Sequence, residues 1–561
     1  MKKSLFFASV LAASTLVGCS SDEPAVNGGD NGPVEANYLS VKLVTSAPGS
    51  RAAGDDANYE DGTGNENTVN SVRFYFFDSE GKAATVKGGS NVNYMDWTED
   101  ITEGPGERPN VEKVLQATLI IESPKGDELP ASVIAIVNPV GLGNESMSLS
   151  DLTGEVANYN VNSTNDYSHT DSFVMSNSVY ADGTNKMVAV SVEGHIFPTG
   201  DAALANPVTI YVERVVAKVT LGLGSALTSG AIDVNGEKLF PSKNKDGVQN
   251  TFGGKNLYVK FLGWNVTYNT KKSRLIKEIN PAWPANLFGT GVSAEEWNYA
   301  IFHRSFWAVN PTLAAEDYAK YDFENDGSAA DMVTDFTNGH VYIQENASDS
   351  YTNGTNPTKP TKVIIAAQIC DENGNDVEFA EWGFQKYAID GDNGLKAIMA
   401  NSAEVYKSNA EGTGRVKIEP GDITFKTATA VGQTQNGNYW VYAQVDDNKN
   451  LEFFTKDGTS MTKAQVNERL RNLGHAKVWT AGKTYYFFDI AHLGEENGSK
   501  GVVRNHVYKA TINSLTGLGT PVYDPDEVID PEKPDDDDTF IAAEIRILSW
   551  RIVNNNVDLD W

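Results

Sequence analysis

Two short alternating strands stand apart from the rest of this chain, one near each end. Residues 39–43 (LSVKL) precede a small, polar stretch that holds Arg51, and residues 541–547 (IAAEIRI) follow an acidic stretch that contains prolines. Alternate side chains of a strand face the same way, so each segment carries one apolar face that needs a sheet to cover it. Residues 52–68 are small and polar, which places Arg51 in an exposed linker of the kind proteases cut. The layout implies a chain that can lose one strand and offer another.

Between these ends the pattern is strand and turn. Residues 72–77 (VRFYFF) run into a turn at 78–81, and residues 133–137 (VIAIV) stop at Asn138-Pro139. Residues 208–223 form a long β-rich run, residues 257–266 another, and residues 362–369 end at the turn 371–374. Residues 439–445 read as a strand, and residues 477–480 and 484–490 flank Ala481-Gly482-Lys483 as a hairpin. Helical signals are few: a capping-box pattern at 293–296, and residues 462–471 closed by Gly474. Plentiful Gly (50), Tyr (23) and Phe (23) suit many strands joined by tight turns. With 561 residues the chain exceeds one ordinary domain. The expected fold is mainly β, two sandwiches in tandem, with the boundary inside 208–223.

The N-terminus reads as an export signal. Lys2-Lys3 is a basic start, and residues 5–17 are apolar but too short to span a bilayer. Leu16-Val17-Gly18-Cys19 reads as a lipobox: a small residue precedes a cysteine whose thiol can carry a diacylglycerol anchor. Ser20-Ser21-Asp22-Glu23 is polar and acidic, as in tethers that lead lipoproteins to the cell surface, and residues 20–37 form a flexible tether. With Cys19 acylated, only Cys370 remains, so no intramolecular disulfide is available and stability must come from packed cores.

Charge excludes one large class of partner. The net charge is −30, and removing residues 1–51 takes away four basic and four acidic groups, leaving it unchanged. Such a surface repels phosphate backbones, which argues against nucleic acid. Residues 524–538 hold nine acids against Lys533, with Pro525, Pro531 and Pro534 opposing helix and sheet. Self-repulsion keeps this linker extended, with a reach of about 50 Å at roughly 3.3 Å per residue.

Catalytic and metal motifs are not found. The seven histidines show no paired-ligand spacing, and there is no P-loop and no G-x-S-x-G. Cys370 ends an apolar strand and reads as a packed thiol. Asp322 begins a stretch like a calcium loop, but position twelve is Val333 where the loop needs Glu. Trp264, Trp307 and Trp479 suit core packing better than a carbohydrate platform. The chain is expected to be no enzyme and to need no cofactor or metal.

Several segments, taken in order, resemble the fimbrillins, subunits of type V pili, and among them the shaft subunits of short fimbriae. They are Ala135-Ile136-Val137-Asn138, Val174-Met175-Ser176, residues 212–219 (VERVVAKV), Trp264 with Lys271-Lys272-Ser273, residues 304–308 (RSFWA), residues 342–346 (YIQEN), and residues 502–508 (VVRNHVY) followed by Gly517-Leu518-Gly519. The resemblance implies two transthyretin-like β-sandwiches and a C-terminal donor-strand extension. It implies a signal peptide (1–18), a lipidated propeptide with a removable first strand (19–51), sandwiches at 52–213 and 214–523, the linker 524–538 and a donor strand at 539–561.

It further implies lipidation at Cys19 and cutting by an arginine-specific protease between Arg51 and Ala52. The strand carrying Leu39, Val41 and Leu43 is then lost. Another copy's strand, with Ile541, Ala543, Ile545 and Ile547, replaces it. Main-chain hydrogen bonds would supply affinity and alternating side chains register. The alternation slips near Trp550, which reads as a bulge or bend between two arms. Implied partners are further copies of the chain, anchor and tip subunits, and the outer membrane before cleavage. The implied location is an outer-membrane lipoprotein precursor and then an extracellular fimbrium serving adhesion and biofilm formation. Two alternatives stay open: residues 539–561 as the last hairpin of the chain's own C-terminal domain, and a monomeric surface lipoprotein, or a tip adhesin, that binds glycans or host ligands.

Overall fold

The computed structural model describes residues 34–45, 62, 64–86, 92–98, 102–105, 113–124, 129–158, 173–182, 185–278, 308–319, 321–322, 332–346, 359–433, 439–490, 501–525, 528–529 and 540–549. Strands dominate them, and the fold is mainly β. Cys19, Arg51, Ala52, Trp307, Trp550, the helix start at 293–296 and the calcium-like stretch beyond Asp322 lie outside the described residues.

The N-terminal half is built on β1 (Val34–Thr45), β2 (Val72–Phe77), β3 (Tyr94–Trp97), β4 (Thr102–Pro105), β5 (Lys113–Pro124) and β6 (Ser132–Val137). It is completed by β7 (Met175–Asn177), β8 (Val190–Ser191), β9 (Ile196–Phe197) and β10 (Val208–Arg214). Their pairing order is β3-β2-β6-β7-β10-β1-β5-β4, with β8 on β6 and β9 on β1. The sheet closes over its own core. Leu39, Val41 and Leu43 of β1 and Leu115, Leu119 and Ile121 of β5 cluster with Phe74 and Phe76 of β2 and Val133 and Val137 of β6.

β2 is buried along its whole length, which is why its sequence is almost unbroken aromatic and apolar. Phe74 and Phe76 face the first core. Tyr75 and Phe77 enter a second one with Ile134, Ile136, Val216, Ile276 and Val503. That second core draws on both halves of the chain, so the halves are joined by buried apolar surface.

The C-terminal half begins with β11 (Val216–Leu223), β12 (Ile232–Val234), β13 (Glu237–Pro241), β14 (Tyr258–Thr267), β15 (His340–Gln344) and β16 (Lys362–Cys370). It continues with β17 (Phe379–Trp382), β18 (Gln385–Tyr387), β19 (Lys477–Trp479), β20 (Lys483–Asp489), β21 (His506–Thr516), β22 (Thr520–Pro521) and β23 (Phe540–Ser549). One sheet runs β15-β11-β21-β23 and a second β12-β13-β14-β16-β20-β22. Val219, Leu221, Trp264, Val363, Ile365, Tyr508 and Ile512 fill the space between them. Trp264 is thus a core residue, and Trp479 stacks on Phe379 at 4.6 Å in another buried cluster.

Two local readings change. The run 208–223 is two strands in two sheets, broken at Val215, whose N–H donates to the Val174 carbonyl one step beyond the last β10–β7 pair. The expected hairpin around Ala481-Gly482 is a corner: β19 pairs with β17, while β20 pairs with β16 and β22. Ala481 and Gly482 do take positive φ, as a tight hairpin turn would, but here the turn redirects the chain between sheets. Residues between β16 and β20 also build a core of their own, with Leu395, Met399, Phe425, Val441, Val466 and Leu470. It includes the helix Lys463–Arg471, started by a Thr462–Gln465 capping box.

The turn after β16 carries a testable acid sensitivity. Asp371 accepts hydrogen bonds from the backbone of Asn373 and Asn375 and pairs with Lys255 Nζ at 2.7 Å. The Lys255 bond, aided by those N–H groups, holds the Asp371 carboxyl down at about 2. A carboxyl depressed in the folded state stabilises above its unfolded value of about 3.9, and that contribution fades as pH falls towards about 2. Asp371→Asn is therefore expected to lower stability at neutral pH and to flatten the loss between about pH 4 and pH 2. Urea melts across that range check it, and an unchanged pH slope would contradict it.

Candidate functional site

β1 is an interior strand. It pairs antiparallel with β5 along its full length, from Val34↔Pro124 to Thr45↔Lys113. On its other side Val41 to Thr45 pair parallel with Val208 to Val212 of β10, and Tyr38 and Leu39 pair with Phe197 and Ile196 of β9. Leu39, Val41 and Leu43 are fully buried, as the alternation predicts. Ser40, on the opposite parity, accepts a hydrogen bond from Gln116 Nε2 at 3.2 Å. The three apolar side chains contribute about 5–9 kcal/mol at roughly 1.5–3 kcal/mol each. Taking β1 away would leave unpaired main-chain groups on two neighbours and an apolar trough lined by Leu115, Leu119, Val208 and Ile210.

β23 covers residues 540–549 and lies antiparallel on β21 of its own chain, from Phe540↔Thr516 to Ser549↔His506. It is the edge of the sheet β15-β11-β21-β23. Ile541, Ala543, Ile545 and Ile547 thus share one strand. The register shift falls on the partner, between Ile512 and Ser514, and β23 is regular up to Ser549. The linker, expected to stay out of any sheet, carries one short strand: Val528–Ile529 pairs with Tyr321–Asp322. These two β-branched residues lie between Pro525 and Pro531, where the ladder needs no proline N–H.

The two halves use one pairing scheme. Around β10, β7 is antiparallel and β1 parallel, and β5 is antiparallel to β1. Around β11, β15 is antiparallel and β21 parallel, and β23 is antiparallel to β21. β1 therefore holds in the first half the place that β21 holds in the second.

Between the halves lies a buried ionic joint. Glu213 and Lys277, both with fully buried side chains, pair at 2.9 Å. Burial pushes the Glu213 carboxyl up, and Lys277 and Arg504 oppose the shift. Arg504 is held by Glu345 at 2.9 Å and donates to the carbonyls of Leu275 and Arg274. The segments 342–346 and 502–508, far apart in sequence, meet here. Asn346 and Val502 exchange backbone hydrogen bonds, and the Tyr508 hydroxyl accepts from Val503 N–H.

Sequence reading gave no role to Glu66, which sits in a single 3-10 turn, Gly64–Asn67. Its carboxylate receives Lys218 Nζ at 2.8 Å and the Tyr342 hydroxyl at 2.5 Å, while Arg214 Nε donates to its carbonyl at 2.6 Å. A lone acid in a polar linker gives no sequence signal. Its partners, in 212–219 and 342–346, were the visible part.

Removing one member of a buried pair leaves the other charge unpaired. Glu213→Ala is expected to destabilise by about 3–5 kcal/mol, while Glu213→Leu with Lys277→Met stays near neutral. Denaturant melts check this, and equal losses from both would contradict it.

Among the described residues catalytic features do not gather. Burial pushes the Cys370 thiol up to about 12, so it is not an activated nucleophile. Among the described residues no three His, Cys, Asp or Glu are placed to hold a metal, and no helix is long and apolar enough to cross a membrane.

Comparison with known proteins agrees with the resemblance read from the sequence. Residues 477–556 match a family model described as major fimbrial subunit protein type IV, fimbrillin, C-terminal. No curated protein matches the chain. Similar solved structures include a fimbrilin from Porphyromonas gingivalis, at 12% identity and TM-score 0.38, covering 92% of this chain and 99% of that one. A fimbrial assembly protein from Parabacteroides distasonis has 11% identity and TM-score 0.26, covering 74% and 99%. A tip fimbrial protein from Porphyromonas gingivalis, with C-terminal truncation, has 13% identity and TM-score 0.26, covering 91% and 100%. The matched segment spans β19 to β23 and so includes the strand pair β21–β23.

Proposed function

We propose that this chain, with its C-terminal match to the fimbrillins, is a structural shaft subunit of a cell-surface fimbria. It is exported as a lipoprotein precursor anchored through Cys19, cut between Arg51 and Ala52, and polymerised by donor-strand exchange. Adhesion and biofilm formation are the biological output. The N-terminal sandwich spans 52–213 and the C-terminal one 214–523, with 524–538 as linker and 539–561 as donor. The single observation that carries the reading is that β1, an interior strand, is followed by one basic residue in a long stretch. Arg51 is the only Lys or Arg between Lys42 and Arg73. An arginine-specific protease therefore has one place to act there, and its cut leaves β1 attached by non-covalent contacts alone.

Exchange then follows from strand geometry. The incoming strand must run antiparallel to β5 and parallel to β10, the direction β1 has. Ile541, Ala543, Ile545 and Ile547 repeat the two-residue spacing of Leu39, Val41 and Leu43. In the single chain β23 is docked on β21, so its release accompanies assembly. A contact between the C-terminus of one copy and the groove of the next is heterologous and does not close, which gives a fibre. The test is digestion of purified precursor with an arginine-specific protease. SDS-resistant ladders of multimers support the reading, and a permanent monomer refutes it.

A further inference from the structure

We propose that the C-terminal half carries a glycan-binding cleft, with Phe384 as its stacking platform. The cleft has a volume of about 280 Å³ and lies between the sandwich and the unit inserted between β16 and β20. That volume is just below the small-molecule range of ~300–1,000 Å³, a fit for a short sugar and not for a folded partner.

The floor is preorganised. The Gly517 carbonyl accepts from Ser242 Oγ, the Leu518 carbonyl from Trp479 Nε1, and the Leu518 and Thr520 carbonyls share the one Thr484 hydroxyl proton at 2.7 and 2.9 Å. Gly519 stands at φ +71°, and a Cβ there would lie 2.3 Å from Thr484 Oγ1, so only glycine lets this floor form.

The rim holds an energetic anomaly. β17 and β18 are joined by the two-residue loop Gly383-Phe384, both at positive φ. Glycine or asparagine suits such a turn, and a bulky aromatic does not. Phe384 is nevertheless 92% exposed, so it gains no burial for its strain. A strained, solvated aromatic on a fixed hairpin at the mouth of a cleft points to a surface used for contact. The hairpin is fixed by pairing of β17 with β19 and by Trp382 Nε1 donating to the Leu473 carbonyl.

The polar lining decides the ligand class. Lys245, Lys386 and Lys477 line the cleft with Asp246, Glu381 and Asn250, mixing donors and acceptors. Three lysines against two carboxylates leave the lining nearly balanced, which favours a neutral polyhydroxyl ligand over a polyanion or a simple cation. A sugar hydroxyl both donates and accepts, and the C–H face of a pyranose ring packs on an aromatic ring.

The cleft lies wholly in the C-terminal half, so the inference does not depend on strand exchange. Labelled full chain applied to an array of oligosaccharides is expected to bind a defined subset. Phe384→Ala should weaken that binding about tenfold, the loss of one stacking contact. Phe384→Trp should keep it, and Phe384→Gly should lose it while raising Tm, because glycine relieves the turn. Retention of acidic peptides without any sugar, no binding to the array, or binding indifferent to Phe384→Ala would each overturn the proposal. An Arg51→Ala chain that fails to polymerise should still bind, which separates the two tests.

Discussion

Arg51→Ala is expected to reduce fibre yield to background and leave full-length precursor on the cell. The groove that would accept a neighbour is occupied by β1, which shares register with β5 over its whole length and with β10 over five positions. Three fully buried side chains add about 5–9 kcal/mol. While β1 is tethered to its own domain it competes as an intramolecular strand at high effective concentration, so an incoming strand loses. A cut after Arg51 would remove that advantage. Because Arg51 is the only basic residue between Lys42 and Arg73, no nearby residue offers a substitute site, whereas Arg51→Lys separates an arginine-specific protease from a general basic one. Immunoblots of cell surfaces check the outcome. Wild-type fibre from Arg51→Ala would show that β1 leaves by another route, or stays.

Deleting residues 539–561 is expected to abolish polymerisation while leaving a folded monomer. Among the described residues β23 is an edge strand with a sheet neighbour on one side only, and the strand beside it, β21, is packed by its own Tyr508, Ala510 and Ile512. Losing an edge exposes main-chain groups on β21 that water can satisfy. Protease treatment of the truncated chain should release β1 and yield monomers with open grooves, which a synthetic peptide of residues 539–561 caps. Circular dichroism and size-exclusion chromatography read both parts. An unfolded truncated chain would mean that these residues belong to their own domain's core, the alternative that β23's pairing with β21 keeps in view.

Alternation made β1 and β23 visible, because a period of two needs nothing but the local sequence. Capping made the helix at Lys463–Arg471 visible for the same reason. The corner at Ala481-Gly482 was not legible, since positive φ serves a hairpin and a sheet-to-sheet turn equally well. Nor was the break at Val215: a β-branched residue among β-branched neighbours carries no mark of the point where pairing partners change. The buried joint was half legible. Glu213, Arg214, Lys218, Glu345 and Arg504 fall in segments that stood out, but Glu66 became meaningful only when folding brought Lys218 and Tyr342 to it. Phe384 shows the same limit, because exposure is a property of the assembled chain.

The central claim is that the mature subunit completes its N-terminal sheet with a strand from another copy. Electron cryomicroscopy of intact fibres reads this directly, from the density between β5 and β10. The account predicts residues of a neighbour's 539–561 segment there, with subunits that begin at Ala52. Density for residues 39–45 of the same subunit in that position would contradict it.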